Sequence, residues 1–224
     1  MHCLHLDSVD STNNEAKRRL RAGQWSGDGY ILSREQTEGR GRYGRRWSSP
    51  RDAGIYCSCI LHCPTCENLD PELLTRAAAV AAAHALQECV GVSPLLKPVN
   101  DLYLRVPGRD DPLKLGGILV ECLWEASRPE AIVIGVGINL RRAVHVMDDS
   151  LSDDNDTAVG DENPPPSDRV IAAACLEDAV PVTPDIAVAL RESIVQNVFK
   201  WSRIAVSNDR HAVEIAWSRF EQVG

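Results

Sequence analysis

The sequence predicts an α+β domain, and two observations carry that expectation. Apolar runs of strand length dominate roughly the first 140 residues, and apolar spacing of three and four dominates roughly the last 55, with no internal repeat. At 224 residues the chain is long enough for one sizeable core.

The elements follow in order. Asp10-Ser11-Thr12-Asn13-Asn14-Glu15 reads as a capping box, Thr12 as N-cap and Glu15 three residues on, opening a helix that runs to about Arg21, where Gly23 can stop it. Residues 29–34 and 54–61 read as strands. Asp70 and Pro71 open an Ala-rich helix that Gly91 ends near Val90. Two short strands, 95–97 and 102–106, are followed by a turn at 107–112 and a longer strand, 113–124, so that the last two form a hairpin with a polar tip. Residues 131–138 form an apolar strand containing two glycines. The stretch 148–167, with Pro164-Pro165-Pro166, is too polar and proline-rich to pack and reads as a mobile loop. Helices are expected over 168–178, from Thr183-Pro184 to about Trp201, and over 209–220.

Composition narrows the function. Hydrophobic residues make up 44% and charged residues 25%, as in an ordinary soluble protein. No apolar run reaches the roughly 20 residues of a membrane span, and the first residues lack the pattern of a signal peptide, so a cytoplasmic location with no membrane partner is expected. Seven acids between Asp148 and Glu162 account for all but one unit of the net charge of −8. The remainder is nearly neutral, which argues against DNA as a partner. Cys63-Pro64-Thr65-Cys66 is a CxxC without a second ligand pair, so zinc or redox use is the lesser reading. Cys57 and Cys59 alternate in an apolar run and read as small hydrophobes on one strand face.

Against a neutral background, Gly39-Arg40-Gly41-Arg42-Tyr43-Gly44-Arg45-Arg46-Trp47 stands out. Glycine lets backbone approach a ligand, and arginine supplies planar, permanent positive charge suited to phosphate or carboxylate. A solvated basic loop and an RG-rich nucleic-acid segment are the competing readings. The position of the loop between two strands favours a small anion. In Lys114-Leu115-Gly116-Gly117-Ile118-Leu119-Val120-Glu121, a lysine opens an apolar strand beside a glycine pair. Its ammonium can draw a carboxylate and a phosphoryl group together, although a strand-end lysine can equally reach solvent. Gly135-Val136-Gly137-Ile138-Asn139 puts glycines inside a strand, a sign of close approach.

The order of these segments resembles the biotin protein ligases: Asp10-Ser11-Thr12-Asn13, then Gln36 and the Gly-Arg loop ending in Trp47, then Asn100-Asp101-Leu102, the strand from Lys114 to Glu121, and Gly135 to Asn139. The resemblance covers about residues 6–140. It implies the biotin/lipoate protein ligase catalytic-domain fold, a mixed and mostly antiparallel sheet flanked by helices. The activity it implies is an ATP-dependent ligase that makes biotinyl-5′-AMP and passes biotin to a lysine of a carrier.

Residues carry over position by position. Lys114 and Arg42 match the catalytic cations. Ser11, Thr12, Asn13, Gln36, Gly39, Arg40, Gly41, Arg42, Tyr56, Lys114 and Gly117 match the biotin side. Arg42, Arg45, Trp47, Lys97, Asn100 and Asn139 match the nucleotide side, and Asp101 an indirect Mg²⁺ ligand. Implied partners are a biotin carboxyl carrier protein or a carboxylase subunit, with a homodimer as the family's common assembly.

The sequence departs from the family where Lys97 is followed by Pro98-Val99 rather than Trp-Pro, and in the extra residues at 107–112. Residues 1–224 are expected to be one catalytic domain, without the DNA-binding N-terminal module or the C-terminal β-domain of many relatives. The alternatives are a lipoate or octanoate enzyme of the same superfamily, and a binder that does not turn over.

Overall fold

A computed structural model describes residues 1–63, 69–98, 100–125, 128–142 and 173–221. The expected loop at 148–167, Cys66 and the start of the helix expected over 168–178 lie outside the described residues. Seven strands form one sheet: β1 (His2–Leu6), β2 (Gly29–Ser33), β3 (Gly54–His62), β4 (Leu95–Lys97), β5 (Asp101–Leu104), β6 (Leu113–Glu125) and β7 (Arg128–Asn139). Their order across the sheet is β1-β2-β3-β7-β6-β5-β4. Only β1 and β2 run parallel; the other pairs are antiparallel, as expected of a mixed sheet.

The two faces of β3 explain the layers. Ile55, Cys57, Cys59 and Leu61 point one way, into the core shared with α2 (Pro71–Val90), α3 (Pro184–Val206) and α4 (Arg210–Ser218). Both cysteines are buried with sulfurs 3.9 Å apart, acting as the small hydrophobes expected. The alanines of α2 are almost fully buried, which lets this helix lie close to the sheet and α3. Tyr56, Ser58 and Ile60 point the other way, where α1 (Thr12–Arg21) covers Ile31, Ile60, Leu123, Ala131 and Val133 with Ala16 and Leu20. A single ten-residue helix covers only part of that face.

Helix ends follow local chemistry with one exception. Asp70 accepts from the N–H groups of Glu72 and Leu73, and Gly91 ends α2 in the left-handed region at φ 67°. The expected capping box at Thr12 does not form. Ser11 occupies the N-cap position, the Thr12 N–H donates to Gln36 Oε1 at 2.8 Å, and Glu15 turns to Arg18 and Arg19. A tertiary acceptor has replaced the local one. The helix expected over 168–178 is also corrected: its described part is a single 3₁₀ turn, Leu176–Asp178, held by Asp178 accepting from the Cys175 N–H. β1 was not expected from sequence; its short alternating run includes two histidines and a cysteine.

Candidate active site

One row of register partners crosses all seven strands: Leu6, Ser33, Tyr56, Gly137, Gly117, Asp101 and Lys97. The row lies on the face that α1 covers only in part. At its centre the sheet carries glycine on two neighbouring strands, so backbone is bare. The indole of Trp47 lies on Gly137, where a β-carbon would come 2.8 Å from the ring. A side chain at Gly135 would come 2.5 Å from Asn13 Oδ1. These glycines are close-approach positions, as their occurrence inside a strand implied.

Lys114 and Asp101 meet beside this bare strip. The ammonium is 2.7 Å from Asp101 Oδ1 and 5.6 Å from the centre of the Trp47 ring. A β-carbon at Gly117 would sit 3.5 Å from Asp101 Oδ1 and 3.8 Å from Lys114 Cε, both ordinary contacts. Lys114, Asp101, Gly117 and Trp47 are thus brought together.

The Gly-Arg loop is a small hairpin. Trp47 N–H donates to Gly39 O at 2.8 Å, Gly41 N–H to Arg45 O at 2.7 Å, and Arg40 pairs with Arg46. Tyr43 and Gly44 form the turn with φ 57° and 72°, the positive pair of a type I′ turn. Gly39 is buried, and a side chain there would strike Trp47 O, at 2.3 Å. Tyr43 is exposed, with the guanidiniums of Arg42 and Arg45 at 5.1 and 5.9 Å from its ring. Among the described residues, none of Arg40, Arg42, Arg45 and Arg46 is in an ion pair, whereas Arg18, Arg34 and Arg51 each hold carboxylates. Among the described residues, no carboxylate pairs with the positive charge that this loop presents.

Beside the strip stands a buried polar wall. Ser11, Thr12, Asn13 and Ser58 are at most 4% exposed. Thr12 Oγ1 lies 3.1 Å from Gln36 Oε1, which accepts from the Thr12 N–H; Gln36 Nε2 donates to Ser49 Oγ at 2.8 Å, and Ser58 Oγ donates to Asn13 Oδ1 at 2.5 Å. Tyr56 completes the wall; its hydroxyl donates to Pro50 O at 2.9 Å, and burial pushes its phenol well up from the ordinary range.

Other expected residues are placed less directly. Asn100 donates to Ile118 O and Asn139 to Ala174 O, so both amide donors brace backbone. Lys97 is paired with Asp101 across β4 and β5, and its ammonium lies over Tyr103 at 5.5 Å. Ser58, Ser49 and Gly137 join the site without having been singled out as contact residues. For Ser58 the signal was present: a hydroxyl at the polar phase of an otherwise apolar strand. As for Mg²⁺, Asp101 is the carboxylate at the strip and Lys114 already engages it, and the described residues contain no cluster of three or more metal-ligating groups. They do not form a resident metal site, and no step below depends on one.

A basic hairpin over a glycine strip, with a lysine at its edge and a buried polar wall behind, is an arrangement suited to anionic ligands. Comparison with known proteins gives the family. A sequence model of the Biotin/lipoate A/B protein ligase family matches residues 6–139, and the chain belongs to that family. It is 36% identical over 140 residues to a biotin--[acetyl-CoA-carboxylase] ligase of Paracoccus denitrificans, covering 62% of this chain and 54% of that one. It is 31% identical over 152 residues to the bifunctional ligase/repressor BirA of Bacillus subtilis, covering 68% and 44%. The chain therefore spans about half the length of these relatives. Among solved structures it is similar to a biotin protein ligase from Leishmania major in complex with biotinyl-5-AMP (TM-score 0.63, 19% identity, 99% of this chain and 81% of that one). A biotin protein ligase from Aquifex aeolicus in complex with biotin and ATP is also similar (TM-score 0.60, 22% identity, 95% and 76%). At those identities the likeness shows the fold.

Proposed function

We propose that this chain is a biotin–protein ligase, activating biotin with ATP to biotinyl-5′-AMP and transferring the biotinyl group to a lysine of a carrier. The observation that carries this reading is Lys114 held at the edge of the bare strip, 2.7 Å from Asp101 and beside Trp47 of a hairpin whose arginines form no ion pair among the described residues. In the first step a biotin carboxylate oxygen attacks the α-phosphorus of ATP and pyrophosphate leaves. Lys114 and Arg42 draw the two anions together and stabilise charge as it builds on the phosphoryl oxygens. In the second step the carrier amine attacks the acyl carbon, AMP leaves, and the amine loses its proton.

The polar wall of Thr12, Asn13, Gln36 and Ser58 favours biotin over lipoate. A ureido ring offers donors and an acceptor to such groups, whereas a dithiolane offers none. The names of the curated relatives support acetyl-CoA carboxylase as the acceptor's enzyme. Any Mg²⁺ would arrive on the nucleotide phosphates rather than on a protein cage. The same reading places the protein in the cytoplasm, where ATP and carboxylase are found. It includes no DNA partner, because charge outside the acidic segment is nearly balanced. If two copies pair through a sheet edge, β1 is the edge left open among the described residues, since β4 is bridged by Glu221.

Pyrophosphate release with biotin, with lipoate and with neither acid tests the reading. Release with biotin alone is expected. Release with lipoate in preference supports the lipoate enzyme, and tight biotin binding without release supports a binder.

A further inference from the structure

Glu121 has no place in the reaction described, yet it terminates a continuous chain of hydrogen bonds that ends behind the loop. Lys17 Nζ is 2.6 Å from Glu121 Oε1, and the other carboxylate oxygen accepts from Asn13 Nδ2 at 2.8 Å. Asn13 Nδ2 also reaches Leu119 O at 3.3 Å. On its other side, Asn13 Oδ1 faces Ser58, which is fully buried and also lies 2.7 Å from Thr12 Oγ1. The Thr12 N–H then donates to Gln36 Oε1, and Gln36 to Ser49.

The directions along this chain are dictated by chemistry. A carboxylate only accepts, so the amide nitrogen of Asn13 must face Glu121 and its oxygen must face Ser58. The reverse orientation would set the amide oxygen against a carboxylate oxygen of Glu121. Ser58 gives its one hydroxyl proton to Asn13 Oδ1, so the Thr12 hydroxyl supplies the proton between Thr12 and Ser58, and the Thr12 N–H carries the bond to Gln36 Oε1. Lys17, with its side chain 17% exposed, neutralises a carboxylate that would otherwise be partly buried and unpaired.

We infer that Glu121, held by Lys17, is a positioning residue: it fixes the amide of Asn13 and, through Ser58, the donor and acceptor pattern of Thr12 and Gln36 that the acid meets. This rests on the reading of the polar wall as the biotin pocket.

The test compares wild type with Glu121→Leu and Glu121→Gln. Biotin affinity is read by calorimetry, KM for ATP by pyrophosphate release, and exchange of the Thr12 amide proton by NMR. Glu121→Leu should weaken biotin roughly ten- to hundredfold, the range for leaving one buried donor unmet. It should leave KM for ATP within about twofold and speed Thr12 exchange, because the amide's acceptor Gln36 loosens. Glu121→Gln, whose side-chain oxygen still accepts, should recover most of the affinity, which a merely structural role would not require. The proposal is overturned if folded Glu121→Leu keeps both biotin affinity and Thr12 protection. It is overturned equally if glutamine is no better than leucine, or if KM for ATP rises as much as biotin affinity falls. Should Glu121→Leu not fold, Lys17→Met keeps the question open to measurement. That variant retains the acceptor and is expected to weaken biotin less than tenfold, and a full hundredfold loss would overturn the role given to the carboxylate. A wild-type protein that binds no biotin defeats the pocket reading instead, and Thr12 exchange, which needs no ligand, still decides this one.

Discussion

Thr12 shows what a sequence can and cannot disclose at the scale of a residue. Its spacing from Glu15 matches a capping box, and its membership of a polar site was legible from the motif around it. Which of the two roles its groups would take depended on Gln36, a residue 24 positions away that no local pattern pairs with it. Gly137 is the converse: a glycine inside a strand announces close approach, but only the fold reveals that the visitor is Trp47. A methyl group in Gly137→Ala would need the indole to shift, so the variant should remain folded, lose about 1–3 kcal/mol of stability, and bind ATP more weakly. An unchanged melting temperature and KM would show that Trp47 does not rest there in solution.

Asp10 carries a pH dependence. Arg18 donates to both its carboxylate oxygens, at 2.6 and 2.8 Å, and the Ser11 and Asn14 donors add to this, holding the carboxyl well below the usual carboxylate range. A lowered folded pKa contributes stability that is present above the unfolded value of about 3.9 and is lost as pH falls through the folded one. Arg18 is half exposed, so screening keeps the effect small. Wild type should therefore lose part of its margin over Asp10→Asn as the pH drops below about 4, and melting curves across that range will show it. Parallel curves for the two proteins would remove the ion pair from the account.

At the scale of elements, strongly patterned segments were legible and weakly patterned ones were not. The alanine helix between Asp70 and Gly91 carries cap, proline and stop in its own sequence, and folds as written. β1 is only five residues with no turn signal ahead of it, and is defined by pairing with β2. The Gly-Arg loop was read for its charge, but its hairpin form was not, because Tyr43 is an unusual choice for a left-handed position. Its ring, flanked by Arg42 and Arg45, compensates for part of that conformational cost. Tyr43→Asn should keep the turn and Tyr43→Val should open it, since a β-branched residue resists positive φ. Limited proteolysis within the loop reads the difference, and equal cleavage of both variants would contradict it. Four clustered cations also repel one another, so biotin with ATP is expected to protect the same loop. Cleavage indifferent to both ligands would rule that out.

For the whole molecule, the α+β class and the order of the chemistry-bearing segments were legible along the chain. The reason they converge was not. Three helices bury one face of the sheet, while α1 covers only part of the other. The uncovered part is where Gly117 and Gly137 leave backbone bare, and the register sets Lys114, Asp101, Trp47 and Tyr56 around it. That convergence needs the strand order β3-β7-β6-β5, a crossing that local sequence does not encode. The account stands on Lys114 acting at that strip in acid activation. Single-turnover formation of biotinyl-5′-AMP, wild type against Lys114→Ala at saturating biotin and ATP, tests it most directly. The rate should fall about a hundredfold or more, the scale of removing a preorganised charge from a transition state. A Lys114→Ala protein that forms the adenylate at the wild-type rate would contradict it.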